Sequence, residues 1–423
     1  MSDAPSPVGA PGSDRVEPQA NRLPIVFIVA VMTIEAMGIG LIIPVMPALL
    51  EEVQGVGLSE AALWGGLLTS TYALMQFLFS PTIGNLSDRF GRRPVLLLSM
   101  AVLFVDYIIL ALAQSIWILF IGRIIAGVAA ATMSTATAFM ADISPPEKKA
   151  QNFGLVSAGF GMGFVLGPAM GGFLAEWGPR APFWAAAALS GLSLILGLFV
   201  LPETLRKPRA FTWRRANPLG GLLALRALPG VGILLAVWFF YTIANWVYPA
   251  IWPYFTQSAF GWNERMVGLS LAAYGISMVV VQGGLIRLII PKLGERTTVR
   301  WFIPFNAAVL FTVAFVESGT LMLMLIPLSA LGQVAQPALQ GIMSRLADDD
   351  QQGELQGVLA SITAVAAIVS PLIMTWTFNL ATEGPYHFPG ASFLVACGLM
   401  SVAFTLYVWK ARQPSVASAL SKT

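Results

Sequence analysis

Twelve apolar runs, most near the length that crosses a bilayer, alternate with short polar connections along this chain. They lie near residues 23–49, 61–84, 94–113, 116–140, 151–175, 181–201, 230–256, 265–290, 298–316, 319–344, 354–380 and 390–410. About 20 apolar residues span a hydrocarbon core roughly 30 Å thick. Inside lipid the backbone must satisfy its own hydrogen bonds, so each run predicts a helix. A polar stretch at 202–229, with Pro202, Pro208, Pro218 and Pro229, separates the sixth run from the seventh. The pattern predicts an all-α membrane protein: a six-helix bundle at 23–201, a linker at 202–229 and a second six-helix bundle at 230–410.

Composition removes the soluble alternatives. Of 423 residues, 57% are hydrophobic and 11% charged, against about a quarter charged in soluble proteins. The net charge is +3, and its Lys and Arg sit in short loops beside apolar runs, a topogenic pattern rather than a nucleic-acid patch. Cys397 is the one cysteine, so an intrachain disulfide or thiolate metal site is excluded. Residues 1–22 lack the basic-then-apolar order of a signal peptide and read as a disordered cytoplasmic tail. Residues 411–423 read as a second tail.

With both ends inside, 21 of the 24 basic residues fall on the cytoplasmic side; Arg180 and Arg265 fall outside and Arg123 within a span. Positive charge prefers the cytoplasmic face, so this orientation is the expected one, in a bacterial inner membrane. The halves also repeat. Phe90-Gly91-Arg92-Arg93 recurs as Leu293-Gly294-Glu295-Arg296, 203 residues later, and Gly167-Pro168 recurs as Ser370-Pro371 at the same offset. A six-helix unit duplicated in one orientation places a substrate between the halves, with alternating access by rocking.

Three charges lie deep within predicted spans: Glu35, Asp106 and Arg123. Each costs at least roughly 2.5–3.5 kcal/mol near the bilayer centre. Asp106 and Arg123 flank the short Gln114-Ser115 turn and should meet at similar depth. Two readings stand for them: a proton relay in which Arg123 modulates a carboxylate, or a static ion pair fixing helix register. Glu35 has no comparable partner and reads as the main protonation site. His387, the only histidine, falls in an outer loop as a solvated residue. The coupling ion is a proton, and no cofactor or metal is expected.

Further candidates carry alternatives. The loop of Gly84, Asp88, Arg89, Gly91, Arg92 and Arg93 reads as a cytoplasmic gate, Asp88 receiving a helix dipole or an arginine across the domain interface; the bland reading is topogenic. Gly159, Gly163, Gly167 and Gly171, with Pro168 and Gly172, form a four-residue ladder that is either a sliding surface or ordinary close packing. Span seven is rich in aromatics (Trp238, Tyr241, Trp246, Trp252 among them), as an interfacial belt or a pocket for planar ligands. Gln76, Asn245, Gln282, Asn306, Gln333 and Gln336 either line the substrate cavity or join helices.

These strings resemble the major facilitator superfamily, and within it the tetracycline-type drug:proton antiporters. Glu35-Ala36-Met37-Gly38-Ile39-Gly40 is similar to the family's first-helix motif, Ser87 through Leu98 to its loop motif, and Asp106-Tyr107 to its third-helix acid. Gly122-Arg123 with Gly127 is similar to its fourth-helix arginine motif, and Gly163, Gly167, Pro168, Gly171 and Gly172 to the fifth-helix antiporter motif. The resemblance implies a major facilitator fold and proton-coupled antiport. Its usual second-half histidine and aspartate fall at Met278 and Asn306, neither of which carries a proton. The expectation is a transporter, functional as a monomer, that exports amphipathic drug-like compounds, with tetracycline a named candidate, rather than an enzyme or nucleic-acid binder. The alternative is uptake of a small metabolite.

Overall fold

A computed structural model describes residues 23–130, 132–205, 208–212, 216–220, 231–348 and 351–411. The expected tails, apart from Ala411, and much of the linker lie outside these residues. Among the described residues, eleven helical stretches are long and apolar enough to cross a membrane. The twelfth crossing is the 33-residue helix Leu58–Phe90, span two, made less apolar by polar residues such as Gln76 and Asn85.

The helices form two bundles of six. Span one is Leu23–Ile42 continued by Met46–Gln54, and span four is Ile116–Ala129 continued by Thr132–Ile143. Span seven is Gly232–Asn245 and Val247–Phe260; span ten is Gly319–Gly332 and Ala335–Leu346. The interruption at Ile43–Val45 recurs at Trp246, and that at Ala130 recurs at Gln333, each 203 residues later. The repeat therefore extends beyond loops to the breaks themselves. A broken helix frees backbone carbonyls, which membrane proteins tolerate where protein or a cavity takes them up. Here Gln76 Nε2 donates to Ala130 O (3.2 Å) and Asn245 Nδ2 to Tyr241 O (2.9 Å).

Residues 23 and 411 lie at one face, called terminal below; the opposite face is distal. The halves meet at the distal end in two matched seams. In one, span five (Lys149–Leu174) sets Pro168 and Gly172 against Gly268 and the Glu264–Arg265 backbone of span eight, which begins at Glu264. In the other, span eleven (Gln352–Glu383) sets Pro371 and Thr375 against Gly66 of span two. Ser59 and Thr382 hydroxyls pair at 2.7 Å, and Ser70 donates to Ile368 O at 2.7 Å. These contacts run from the distal face to about mid-span. Among the described residues, the terminal-side segments of spans four and ten show no comparable packing across the halves. The described residues are sealed distally and parted at the terminal face.

The glycine ladder lies inside the first half. Gly159, Gly163, Gly167 and Gly171 each rest on the backbone of span one, against Val29, Thr33, Met37 and Leu41 respectively. Both helices step by four, so the two backbones interlock, which is the close-packing reading. Pro168 and Gly172, on another side of the same helix, reach the second half, as do Val165 against Gly275 and Phe173 beneath Arg265. A Cβ at Gly167 would stand 2.6 Å from Met37 O. Gly167→Ala should therefore cost about 1–3 kcal/mol through overpacking, read as a lower melting temperature in detergent. Gly161→Ala on the same helix meets open space and should be neutral or slightly stabilising.

Candidate functional site

Span three, Arg92–Leu112, and span four run antiparallel through the Gln114-Ser115 turn, and that geometry brings Asp106 and Arg123 together as an ion pair. Gly122 makes room for it, since a Cβ there would stand 2.7 Å from Asp106 Oδ1. The Asp106 side chain is fully buried and Arg123 is 11% exposed. The pair is not saturated: Asp106 Oδ1 and Arg123 Nε are buried without hydrogen-bond partners. The guanidinium also lies over the Tyr72 ring, 5.5 Å from its centroid.

Glu35 stands on span one beside Thr132, the first residue after the break in span four. Its side chain is partly exposed, yet Oε2 is buried and makes no hydrogen bond, and the Thr132 hydroxyl is likewise unpartnered. Tyr72 lies within electrostatic reach of Glu35, Asp106 and Arg123 together. Tyr107 packs against Gly38, one turn from Glu35. The structure thus places the Asp106–Arg123 pair and Glu35 around Tyr72 in the first half, with no ion pair to Glu35 among the described residues. Tyr72 and Thr132 were not singled out as site residues in the sequence. Thr132 becomes recognisable only from the helix break, which hydropathy does not register.

The second half presents a different chemistry at the equivalent place. Asn245 Oδ1 accepts from Asn306 Nδ2 (3.0 Å) and Gln333 Nε2 (2.6 Å). The Tyr241 hydroxyl lies 3.4 Å from Gln333 Oε1. Tyr241 and Asn306 are fully enclosed, so they join helices nine, ten and seven rather than line a cavity. Trp246 and Gln336 are partly exposed and Gln76 is exposed. Met278 packs beside Val281, Ala330 and Val334. Most span-seven aromatics are core: Trp238, Tyr248, Trp252, Tyr254 and Phe255 are buried, with Tyr248 stacked 5.9 Å from Tyr274. Gln282 is exposed within a π-helical turn, Val281–Leu285.

The 84–94 loop differs from expectation in its partners. Asp88 pairs with Arg92 at 2.7 Å, and Arg92 reaches Asp142 at the end of span four at 3.2 Å. The acid at a helix N-terminus is Glu203, which accepts from the backbone N–H of Arg92 (3.0 Å) and Arg93 (3.2 Å). Asp88 sits near the end of span two, where the dipole disfavours it. Arg93 donates to Leu198 O, Arg89 lies over Phe90, and Gly91 takes φ +113° beside Glu203. Gly84 has open space around it. With the halves parted at this face, the charges close on the first half instead of latching across the interface.

The distal seal holds a charge arrangement that sequence reading missed. Arg180 bonds Glu52, Ala111 O and Ala113 O, and Arg265 pairs with Glu176 across the halves at 3.1 Å. Glu51 of the first half faces Glu264 of the second. Burial, and then the Glu264 charge, hold the Glu51 carboxyl above its ordinary value of 4.5. Its proton therefore favours the sealed arrangement; that contribution is complete below 4.5 and is lost as pH rises through the raised value. Distances between spin labels at Glu60 and Glu383 should widen with rising pH in the wild type. Glu51→Gln should remove that dependence.

Two repeated bundles, sealed at one face and parted at the other around buried charge, define a secondary transporter. A sequence profile of the Major Facilitator Superfamily matches residues 28–334 and 233–423. The tetracycline resistance protein, class C, of Escherichia coli is 40% identical over 377 residues, covering 88% of this chain and 95% of that protein. Multidrug resistance protein 2 of Bacillus subtilis (strain 168) is 29% identical over 90% of this chain and 94% of its own length. Among solved structures, a bacterial homolog of the human lysosomal transporter Spinster, inward-facing and unoccupied, superposes with TM-score 0.74 at 16% identity, covering 92% of this chain and 96% of that one. The chain belongs to the Major Facilitator Superfamily.

Proposed function

We propose that this protein exports amphipathic, drug-like compounds across a bacterial inner membrane in exchange for protons. The terminal face is cytoplasmic in this reading, as the positive-inside distribution of Lys and Arg supports. Tetracycline is the named candidate substrate, supported by the 40% identical resistance protein. The single observation that carries the coupling is Glu35: a mid-span carboxylate with a buried, unpartnered oxygen beside the break in span four.

Glu35 is the group that loads and releases the proton. Asp106 and Arg123 are its modulators, because movement of a guanidinium toward or away from an acid changes that acid's preference for its proton. The 84–94 loop is the cytoplasmic gate, its Asp88–Arg92–Asp142 chain free to exchange partners when the halves close. The neutral amides of the second half leave coupling to the first. Everted vesicles carrying the purified protein test this reading. With a lumen made acidic, adding tetracycline or another planar amphipath should drive proton release in the wild type. Substrate movement that leaves lumenal pH unchanged would refute antiport.

A further inference from the structure

We propose that the terminal face of the second half binds the phosphate headgroup of an anionic phospholipid where spans nine and twelve meet. Span nine begins at Glu295 and span twelve ends at Ala411. They pack together there, and the Tyr407 hydroxyl donates to Arg296 O at 3.2 Å. Arg296 is the unusual member. Its Nε and Nη2 are buried and have no hydrogen-bond partner. Arg300 lies one turn further along the same helix face, exposed, and both guanidinium groups lie within electrostatic reach of Tyr407. Lys410 is enclosed on the facing helix, 8% exposed.

The adjacent acid does not answer this charge. Glu295 is already bonded to Arg345 at 2.7 Å. An unsatisfied guanidinium in a low-dielectric setting is costly, and Arg carries its charge at any attainable pH, so relief must come from an acceptor. The acceptor is fixed by depth. Trp301, next to Arg300, is 66% exposed, and Trp409, next to Lys410, is 55% exposed. Exposed tryptophans at span ends mark the headgroup layer. The long Arg296 stem can turn its guanidinium outward into that layer. Guanidinium recognises phosphate through paired N–H donors, and basic pockets between spans at the cytoplasmic surface hold lipid headgroups.

The probes are phosphatidylglycerol and cardiolipin, with phosphatidylethanolamine as the zwitterionic reference and inorganic phosphate as the lipid-free one. Native mass spectrometry of the purified full chain measures retained lipid. The wild type should retain the anionic lipids preferentially. Each removed charge should weaken that retention about fivefold, at roughly 1 kcal/mol per basic residue near the surface. Arg300→Gln alone, at an exposed position, should show the first step, and Arg296→Gln with Arg300→Gln should fall to the phosphatidylethanolamine level. Lys149→Gln, a basic residue of the first half, should retain lipid as the wild type does. Unchanged retention in both Arg variants would overturn the proposal. Millimolar inorganic phosphate displacing the lipid, or equal retention of phosphatidylethanolamine by the wild type, would also overturn it.

Discussion

Glu35→Gln is expected to abolish uphill export while leaving the protein folded and in the membrane. One charge moved through 100 mV supplies about 2.3 kcal/mol, and at about 1.4 kcal/mol per tenfold a single coupled proton sustains roughly a fortyfold substrate gradient. Without a group to carry that proton, the gradient should collapse to the equilibrative value. Glutamine keeps the shape of Glu35 beside Thr132 and removes the titratable carboxyl. Substrate accumulation in energised vesicles checks this directly, and a minimal inhibitory concentration in a pump-deleted bacterium checks it in cells. Residual substrate-driven proton movement at the wild-type rate would remove Glu35 from the coupling role.

The second large effect concerns stability. Asp106→Asn leaves the Arg123 guanidinium, 11% exposed, without a counter-charge. Breaking a buried pair from one side typically costs about 3–5 kcal/mol. The single variant should therefore melt well below the wild type in detergent. Adding Arg123→Gln removes the orphaned charge, and the double variant should recover much of the loss, giving strong non-additivity in a double-mutant cycle. Transport separates the two readings of this pair. A static strut predicts that the stabilised double variant still couples, whereas a modulator of Glu35 predicts that its pH profile shifts.

The twelve spans and both halves were legible in the hydropathy because lipid imposes one structure on any long apolar run. The repeat was legible too, since Gly91 and Gly294 both take positive φ, +113° and +76°, where a glycine is favoured. The Asp106–Arg123 pair followed from the short turn between antiparallel spans. Helix breaks did not show, because Ala130 and Trp246 interrupt apolar sequence without changing its hydropathy. Enclosure of Tyr241 and Asn306 did not show either, because hydropathy gives depth along a helix and not the face a polar residue presents. Glu203 was missed for another reason, lying in the linker and meeting Arg92 and Arg93 only through folding. Asp88, the more conspicuous acid, is expected to meet a helix dipole or an arginine across the interface, and it pairs with Arg92 of its own half.

The distal seams mix backbone and side-chain contacts. Pro168 and Pro371 each present a carbonyl to a glycine of the opposite half, beside the side chains of Val165 and Thr375. The Glu51–Glu264 arrangement adds a bias, since an ionised Glu51 meets the Glu264 charge across the halves. A proton arriving at Glu51 from the distal side would favour resealing of that face.

The most direct test is infrared difference spectroscopy on the reconstituted protein, comparing the wild type with Glu35→Gln on addition of substrate. The wild type should lose the band of a protonated carboxyl as substrate binds, and the variant should show no such loss. An unchanged carboxyl signal in the wild type, with Glu35 ionised before and after substrate, would contradict proton exchange at this residue.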